Sequence, residues 1–153
     1  VPGVDDFEAM GLALEQARQA GQLGEVPVGA VIVVGDQILA AAGNRKEASS
    51  DPTAHAEILA LRQASGQLGS WRLTDATLYV TLEPCPMCAG GLLSARIGRL
   101  VFATPDPKAG SCGSLYNLCA DPRLNHELAV TAGVRAAEAA TLLSEWFAER
   151  RGA

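Results

Sequence analysis

Val26-Pro27-Val28-Gly29-Ala30-Val31-Ile32-Val33-Val34, then Gly35-Asp36, then Gln37-Ile38-Leu39-Ala40-Ala41-Ala42, is the stretch whose reading decides the fold. The first run is β-branched and continuous, which predicts a buried strand. Gly35-Asp36 is a two-residue turn signal, so the second run folds back as a hairpin that Gly43-Asn44-Arg45 closes. An antiparallel hairpin excludes an all-parallel sheet. Upstream, Asp5 to about Ala20 repeats apolar residues at Phe7, Met10, Leu14 and Ala17, the spacing of an amphipathic helix that Gly21 can end.

Downstream, helices and strands alternate. Asp51-Pro52 reads as an N-cap followed by proline at the first helical position, with Ala54, Ile58 and Leu61 on one face. Ala76 to Leu82 predicts a third strand, and Glu83-Pro84 leads into Cys85, with Pro86 opening a helix that runs through Leu92 and Leu93. Arg99 to Thr104 predicts a fourth strand, followed by a loop rich in Pro, Gly and Asp from Pro105 to Gly113. Leu128 to Ala132 predicts a short fifth strand and Val134 to Arg151 a final helix, with Ala137, Leu142, Trp146 and Phe147 inward in part. There is no internal repeat, low-complexity segment or linker. The expected architecture is a three-layer α/β/α sandwich around a mixed five-stranded central sheet, one domain over residues 1–153.

With 153 residues, 48% of them apolar and 19% charged, the chain has the composition of a compact domain rather than a disordered or membrane protein. No apolar run reaches the roughly 20 residues that span a bilayer. Val1 to Phe7 carries two acids and no basic region ahead of an apolar stretch, which does not read as a secretory signal and predicts a cytoplasmic location. In that reducing compartment Cys112 and Cys119 are expected as free thiols. The net charge of −5 argues against a strongly electrostatic nucleic-acid binder. It leaves room for a small RNA footprint, with Arg45, Lys46, Lys108, Arg150 and Arg151 as candidate cations.

The chemistry lies in His55-Ala56-Glu57 and Pro84-Cys85-Pro86-Met87-Cys88. One His and two Cys make three zinc-type ligands, the number that leaves a fourth position to water, whereas structural zinc takes four protein ligands. Glu57 supplies a carboxylate for moving the protons of a zinc-activated water. Residues two apart in mid-helix point about 200° apart, so His55 and Glu57 must sit at a helix end to converge. Cys85 and Cys88, three apart across a first helical turn, can face one metal. Taken singly, His55 reads as an ordinary histidine and the cysteines as half a zinc ribbon or a redox pair. A structural zinc would need a fourth ligand from Cys112, Cys119 or His126, whose simplest roles are in loops and packing. Asn44, Asp106 and Asn125 taken alone are turn or capping residues, and Trp146-Phe147 more simply core than a stacking platform.

His-x-Glu with Pro-Cys-x-x-Cys is the known signature of zinc-dependent base deaminases. The chain further resembles the bacterial tRNA adenosine deaminases nearly end to end, through Glu25 to Val31, Asp51 to Ile58, Leu78 to Cys85, Ser94 to Arg99, Gly113-Ser114-Leu115 and Asn125-His126. The resemblance implies one Zn²⁺ per subunit on His55, Cys85 and Cys88, with Glu57 as proton shuttle. It implies Asn44 as a hydrogen-bond partner of a flipped adenine, and Pro27 and Val28 as a pocket wall, with Ala56 among the substrate-binding positions. Asp106, Lys108, Trp146, Phe147, Arg150 and Arg151 are implied to face anticodon-loop RNA. Trp146-Phe147 stands where relatives often carry two aromatics, and Ser111-Cys112 replaces the small residues expected in the substrate loop. The implied reaction is hydrolytic deamination of adenosine to inosine at the wobble position of a tRNA anticodon, by a homodimer. Two alternatives stand beside it: a zinc-dependent deaminase of a free base or nucleoside such as guanine, cytosine or cytidine, and a non-catalytic, zinc-stabilised RNA-binding module.

Overall fold

The computed structural model describes residues 4–152, so residues 1–3 of the N-terminal stretch read above and residue 153 of the expected domain lie outside the described residues. Helix α1 (Asp6–Gln22) is capped by Asp5, whose carboxylate accepts the Glu8 amide at 2.7 Å. Its buried stripe is Ala9, Met10, Ala13, Leu14, Ala17 and Ala20. Phe7, expected on that stripe, is exposed. Stepping back from Met10 by one turn lands on Asp6, which faces inward and bonds Tyr79 and Arg99, so Phe7 falls off the stripe and lies under the Arg135 guanidinium.

Strand β1 (Gly29–Val34) pairs antiparallel with β2 (Gln37–Gly43) across Gly35-Asp36, as the hairpin reading expected, and Gly35 takes the positive φ of 62° that glycine tolerates. The register slips between Ile32 and Val33, leaving Leu39 as the extra residue of a bulge on the edge strand β2. Strands β3 (Ala76–Leu82), β4 (Arg99–Thr104) and β5 (Ala129–Ala132) complete a sheet of order β2-β1-β3-β4-β5. β1 is antiparallel to β3, while β3, β4 and β5 run parallel, so the sheet is mixed and five-stranded as expected.

The period of two along the strands sorts the core into layers. Ala30, Ile32, Leu78, Val80, Leu100 and Phe102 pack with α3 (Ala56–Leu68) and α4 (Pro86–Ser94), and Val31, Val33, Tyr79, Val101 and Ala103 with α1 and α5 (Ala136–Arg151). Both faces are covered, which is why β1 reads as continuous apolar sequence rather than alternation. Gly29 lets α1 rest directly on β1: a Cβ there would collide with the Ala13 carbonyl and lie 2.6 Å from the Ala17 nitrogen.

Asp51-Pro52 does not open a helix, because Asp51 Oδ1 is spent on the Thr53 amide and hydroxyl at 2.8 and 2.7 Å, a local turn, and α3 begins only at Ala56. A short helix α2 (Lys46–Ser49) precedes it, its Glu47 and Ala48 amides bound by the buried Glu25 carboxylate at 3.0 and 2.8 Å. Helix α5 starts two residues later than expected, after Arg135 in left-handed conformation. Its inward side runs through Ala139 and Leu143; Leu142 and Trp146 are half-buried, while Ala137 and Phe147, off that stripe, are exposed. All four cysteines are free thiols, with Cys112 and Cys119 buried and their sulfurs 3.1 Å apart.

Candidate active site

The start of β1 and the ends of β2, β3 and β4 meet at one edge of the sheet, with Gly29 opposite Gly43, Ala30 opposite Val80 and Leu82 opposite Thr104. That edge therefore carries Pro27-Val28, Asn44, Glu83-Pro84-Cys85 and Asp106, at the carboxyl ends of the parallel strands where open α/β sheets bind ligands.

His55 and Cys85 are each the N-cap of a helix, in extended conformation, and Pro86 fills the first position of α4. A cap residue is not bound to the helical screw, which removes the directional conflict between His55 and Glu57. His55 Nδ1 lies 3.7 Å from Cys85 Sγ and 3.5 Å from Cys88 Sγ, and the three ligand atoms lie within 4.8 Å of one another. Tetrahedral zinc bonds of about 2.0 Å to nitrogen and 2.3 Å to sulfur require N–S edges of about 3.5–3.6 Å, so the donor set fits such an ion. The positive ends of two helices point at the same spot and favour sulfur as thiolate. The hydrogen bond from Cys88, working against burial, and then the bond to His55 bring Cys85 down to about 4; as donor in that bond, and by burial, Cys88 is pushed up. The bond to Cys85 raises His55 against the effect of burial.

Glu57, at the second position of α3, is 4% exposed. Burial pushes its carboxyl up to about 7, against the pull of a backbone N–H and His55. A carboxyl that can carry or release a proton near neutrality, beside three metal-type donors, suits proton transfer. The possible fourth ligands are engaged elsewhere among the described residues. Cys112 and Cys119 face each other, His126 Nε2 lies 2.8 Å from the Ile97 carbonyl, and the metal-type group stays at three.

The remaining predicted positions divide. Asn44 Oδ1 accepts the Ala56 amide at 2.8 Å and so ties the end of β2 to the first residue of α3. Ala56 itself is fully buried, with its amide spent on Asn44. The Val28 carbonyl accepts the Asn44 amide at 3.1 Å, and Pro27 packs beside Gly21 in a cleft of about 240 Å³ that reaches Trp146 and Glu149. Asp106 turns onto its own loop, accepting the Lys108 and Ala109 amides at 3.0 and 3.2 Å, and Lys108 is exposed. Trp146 donates to the Gly21 carbonyl at 3.2 Å; Phe147 lies edge-on to it, and the Arg150 guanidinium is 3.5 Å over the indole. Arg45, Lys46, Lys108, Arg150 and Arg151 make no ion pair among the described residues, in contrast to Arg18, Arg99, Arg123 and Arg135. A groove of about 380 Å³ along β2 touches Asn44 and Arg45 but lacks His55, Glu57 and both metal-type cysteines, so the chemistry is not centred there.

Glu83 and Glu25, both buried anions at this edge, had no role in the sequence reading. The signal for Glu83 was present: an acid closing an apolar strand directly before Pro84-Cys85.

A MafB19-like deaminase family matches residues 4–149, which makes the class of the fold and site that of a deaminase. Over 139 residues, covering 91% of this chain and 86% of the relative, the sequence is 47% identical to the tRNA-specific adenosine deaminase of Bacillus subtilis (strain 168). A solved structure from work on A-to-I editing by tRNA:A34 deaminases at the wobble position of transfer RNA superposes with TM-score 0.86 at 45% identity, covering 88% of this chain and 98% of that one. The guanine deaminase of Nitrosomonas europaea has TM-score 0.83 at 25% identity, covering 95% of this chain and 86% of that one. The chain belongs to the tRNA-specific adenosine deaminase family.

Proposed function

We propose that the protein hydrolytically deaminates adenosine to inosine at the wobble position of a tRNA anticodon, as one deaminase unit over residues 1–153 with one Zn²⁺ per subunit. The observation that carries this reading is the three-donor group of His55, Cys85 and Cys88 beside a buried carboxyl, Glu57, with no fourth protein ligand among the described residues. A structural zinc module has no use for that arrangement. The level of identity, 47% to an adenosine deaminase of tRNA against 25% to a guanine deaminase, favours the RNA substrate over a free base.

Zinc, when bound, supplies Lewis-acid activation of a water. His55 Nδ1 and the Cys85 and Cys88 sulfurs would hold it. Glu57 would take one proton from that water and give it to N1 of adenine as the water oxygen bonds to C6, then pass the water's second proton to the amine as the C6–N bond breaks and ammonia leaves. Asn44 has spent Oδ1 on Ala56, so its Nδ2 amide is the arm that donates to the base. Pro27 and Val28 wall the pocket, and Ala56 contributes by holding Asn44 through its amide. A duplex would hide C6, so the substrate is an unpaired, splayed-out loop nucleotide. The loop with Asp106 and Lys108, and Trp146, Phe147, Arg150 and Arg151 on α5, meet the flanking RNA. Cations free of ion pairs reconcile that role with a net charge of −5. The same reading includes a cytoplasmic homodimer. No helix among the described residues is long and apolar enough to cross a membrane.

Incubation with an anticodon stem-loop bearing a wobble adenosine should yield inosine and ammonia. Ammonia from free guanine or cytosine, with no inosine in the stem-loop, would overturn the proposal in favour of a free-base deaminase.

A further inference from the structure

Glu83 follows β3 directly and stands two residues before Cys85. Its side chain is 2% exposed, yet both oxygens are fully engaged. Oε1 accepts the Asp106 amide at 3.0 Å and the Ser114 hydroxyl, and Oε2 accepts the Cys112 and Ser114 amides, each at 3.0 Å. Backbone bonds run in parallel: the Glu83 amide donates to the Thr104 carbonyl at 2.9 Å and the Ser111 amide to the Pro84 carbonyl at 2.8 Å. Gly110 closes over the carboxylate, where a Cβ would collide with the Glu83 carboxyl carbon. The 106–114 loop is therefore wound around one anion, and that anion belongs to the turn that ends in a metal-type ligand.

A buried carboxylate persists only where hydrogen bonds replace its water, and four donors from one loop do so here. Glutamine would not substitute, since its NH₂ would meet N–H donors where an acceptor is needed. We propose that Glu83 is a positioning residue that fixes the 106–114 loop in register with the Cys85 turn, so that Asp106 and Lys108 meet the bound nucleotide at a set distance from the metal ligands. What the loop meets rests on the wobble-adenosine reading; the pinning of the loop does not.

The test uses zinc-loaded full-length Glu83→Gln and Ser114→Ala, followed by zinc content, amide hydrogen exchange, and kinetics on a wobble-adenosine stem-loop. Both variants should keep one zinc and unchanged exchange in α1 and β1. In Glu83→Gln, exchange at Asp106, Cys112 and Ser114 should quicken by about tenfold or more, the loss expected for hydrogen bonds to a charged acceptor. KM should rise by a similar factor while kcat at saturation stays within about threefold. Ser114→Ala should move the same amides and KM in the same direction by less, and it decides alone if Glu83→Gln does not fold. Unchanged exchange in the loop, zinc loss in Glu83→Gln, or a fall in kcat at constant KM would overturn the assignment. If the wild type makes no inosine, the functional reading falls, while the exchange result still decides whether Glu83 pins the loop.

Discussion

Two polar clusters lie toward opposite ends of the sheet and are built to opposite plans. At the start of β4, Arg99 grips Asp6 through two bonds of 2.8 and 2.6 Å, Tyr79 donates to the same carboxylate at 2.8 Å, and Thr131 accepts from Arg99 at 3.0 Å. The Arg99 hydrogen bond holds Asp6 below the usual carboxylate range, and the Asp6 bond raises Arg99 in turn. Each charge there meets its opposite within the protein, so the cluster is closed. At the other end His55, Cys85, Cys88 and Glu57 converge with no Lys or Arg ion pair and no fourth metal-type donor among the described residues. Closure marks a joint between elements, here α1 to β3, β4 and β5. Convergence without closure marks a place for something from outside.

The contrast is tested hardest at Glu57. Glu57→Gln should retain zinc and lose turnover by about 10³-fold, within the range of general acid–base catalysis, measured as inosine formation against zinc content. Near-normal turnover in a zinc-replete variant would remove Glu57 from the chemistry. Cys88→Ser should cost the metal itself: elemental analysis should find the zinc content greatly reduced, and activity should fall with it. Full occupancy with normal activity would mean that the metal sits elsewhere. Asn44→Asp separates two duties, since it keeps an oxygen for the Ala56 amide and removes Nδ2. Activity should fall by about tenfold to a hundredfold with thermal stability close to wild type, whereas Asn44→Ala should also lose about 1 kcal/mol with the cap. Equal kinetics for wild type and Asn44→Asp would confine Asn44 to capping.

The same contrast explains what could be read in advance. β3 and β4 were legible to the residue because Glu83 and Gly98 punctuate apolar runs, and the His-x-Glu and Cys-x-x-Cys spacings stand out because they are local. The α3 start was misread because Asp51 has the look of a cap but bonds Thr53, while the residue that holds the Ala56 amide, Asn44, lies twelve positions back. Glu25 was invisible as an organiser for the same reason, and Glu83 was marked only by its place directly before Pro84-Cys85. Each collects donors more than twenty residues away, and in a sequence a buried anion looks like any surface acid. Phe7 was misplaced because an acid, Asp6, holds the inward position of its turn.

Asp6→Asn should have the smallest effect on catalysis and the clearest signature in pH. The folded pKa of Asp6 is lowered, so its contribution is present above the unfolded carboxylate value of about 3.9 and is lost as pH falls through the folded value. Tyr79 is pushed up to about 12, by burial first and then by the Asp6 bond. Its contribution is full below the unfolded value of about 10 and is lost as pH rises through the folded one. Wild-type melting temperature should therefore be level through neutrality and fall at both margins. Both partners are about one-third exposed, which limits the pair to the scale of a surface ion pair. Asp6→Asn should lower the plateau by about 1 kcal/mol, or about 2–4 °C for a chain of this size. It should also flatten the acid limb and bring the alkaline limb to lower pH, with kcat and KM for the stem-loop unchanged. Lost turnover at unchanged melting temperature would show that the closed cluster reaches the chemistry after all, and that closure is not the mark of a purely structural joint.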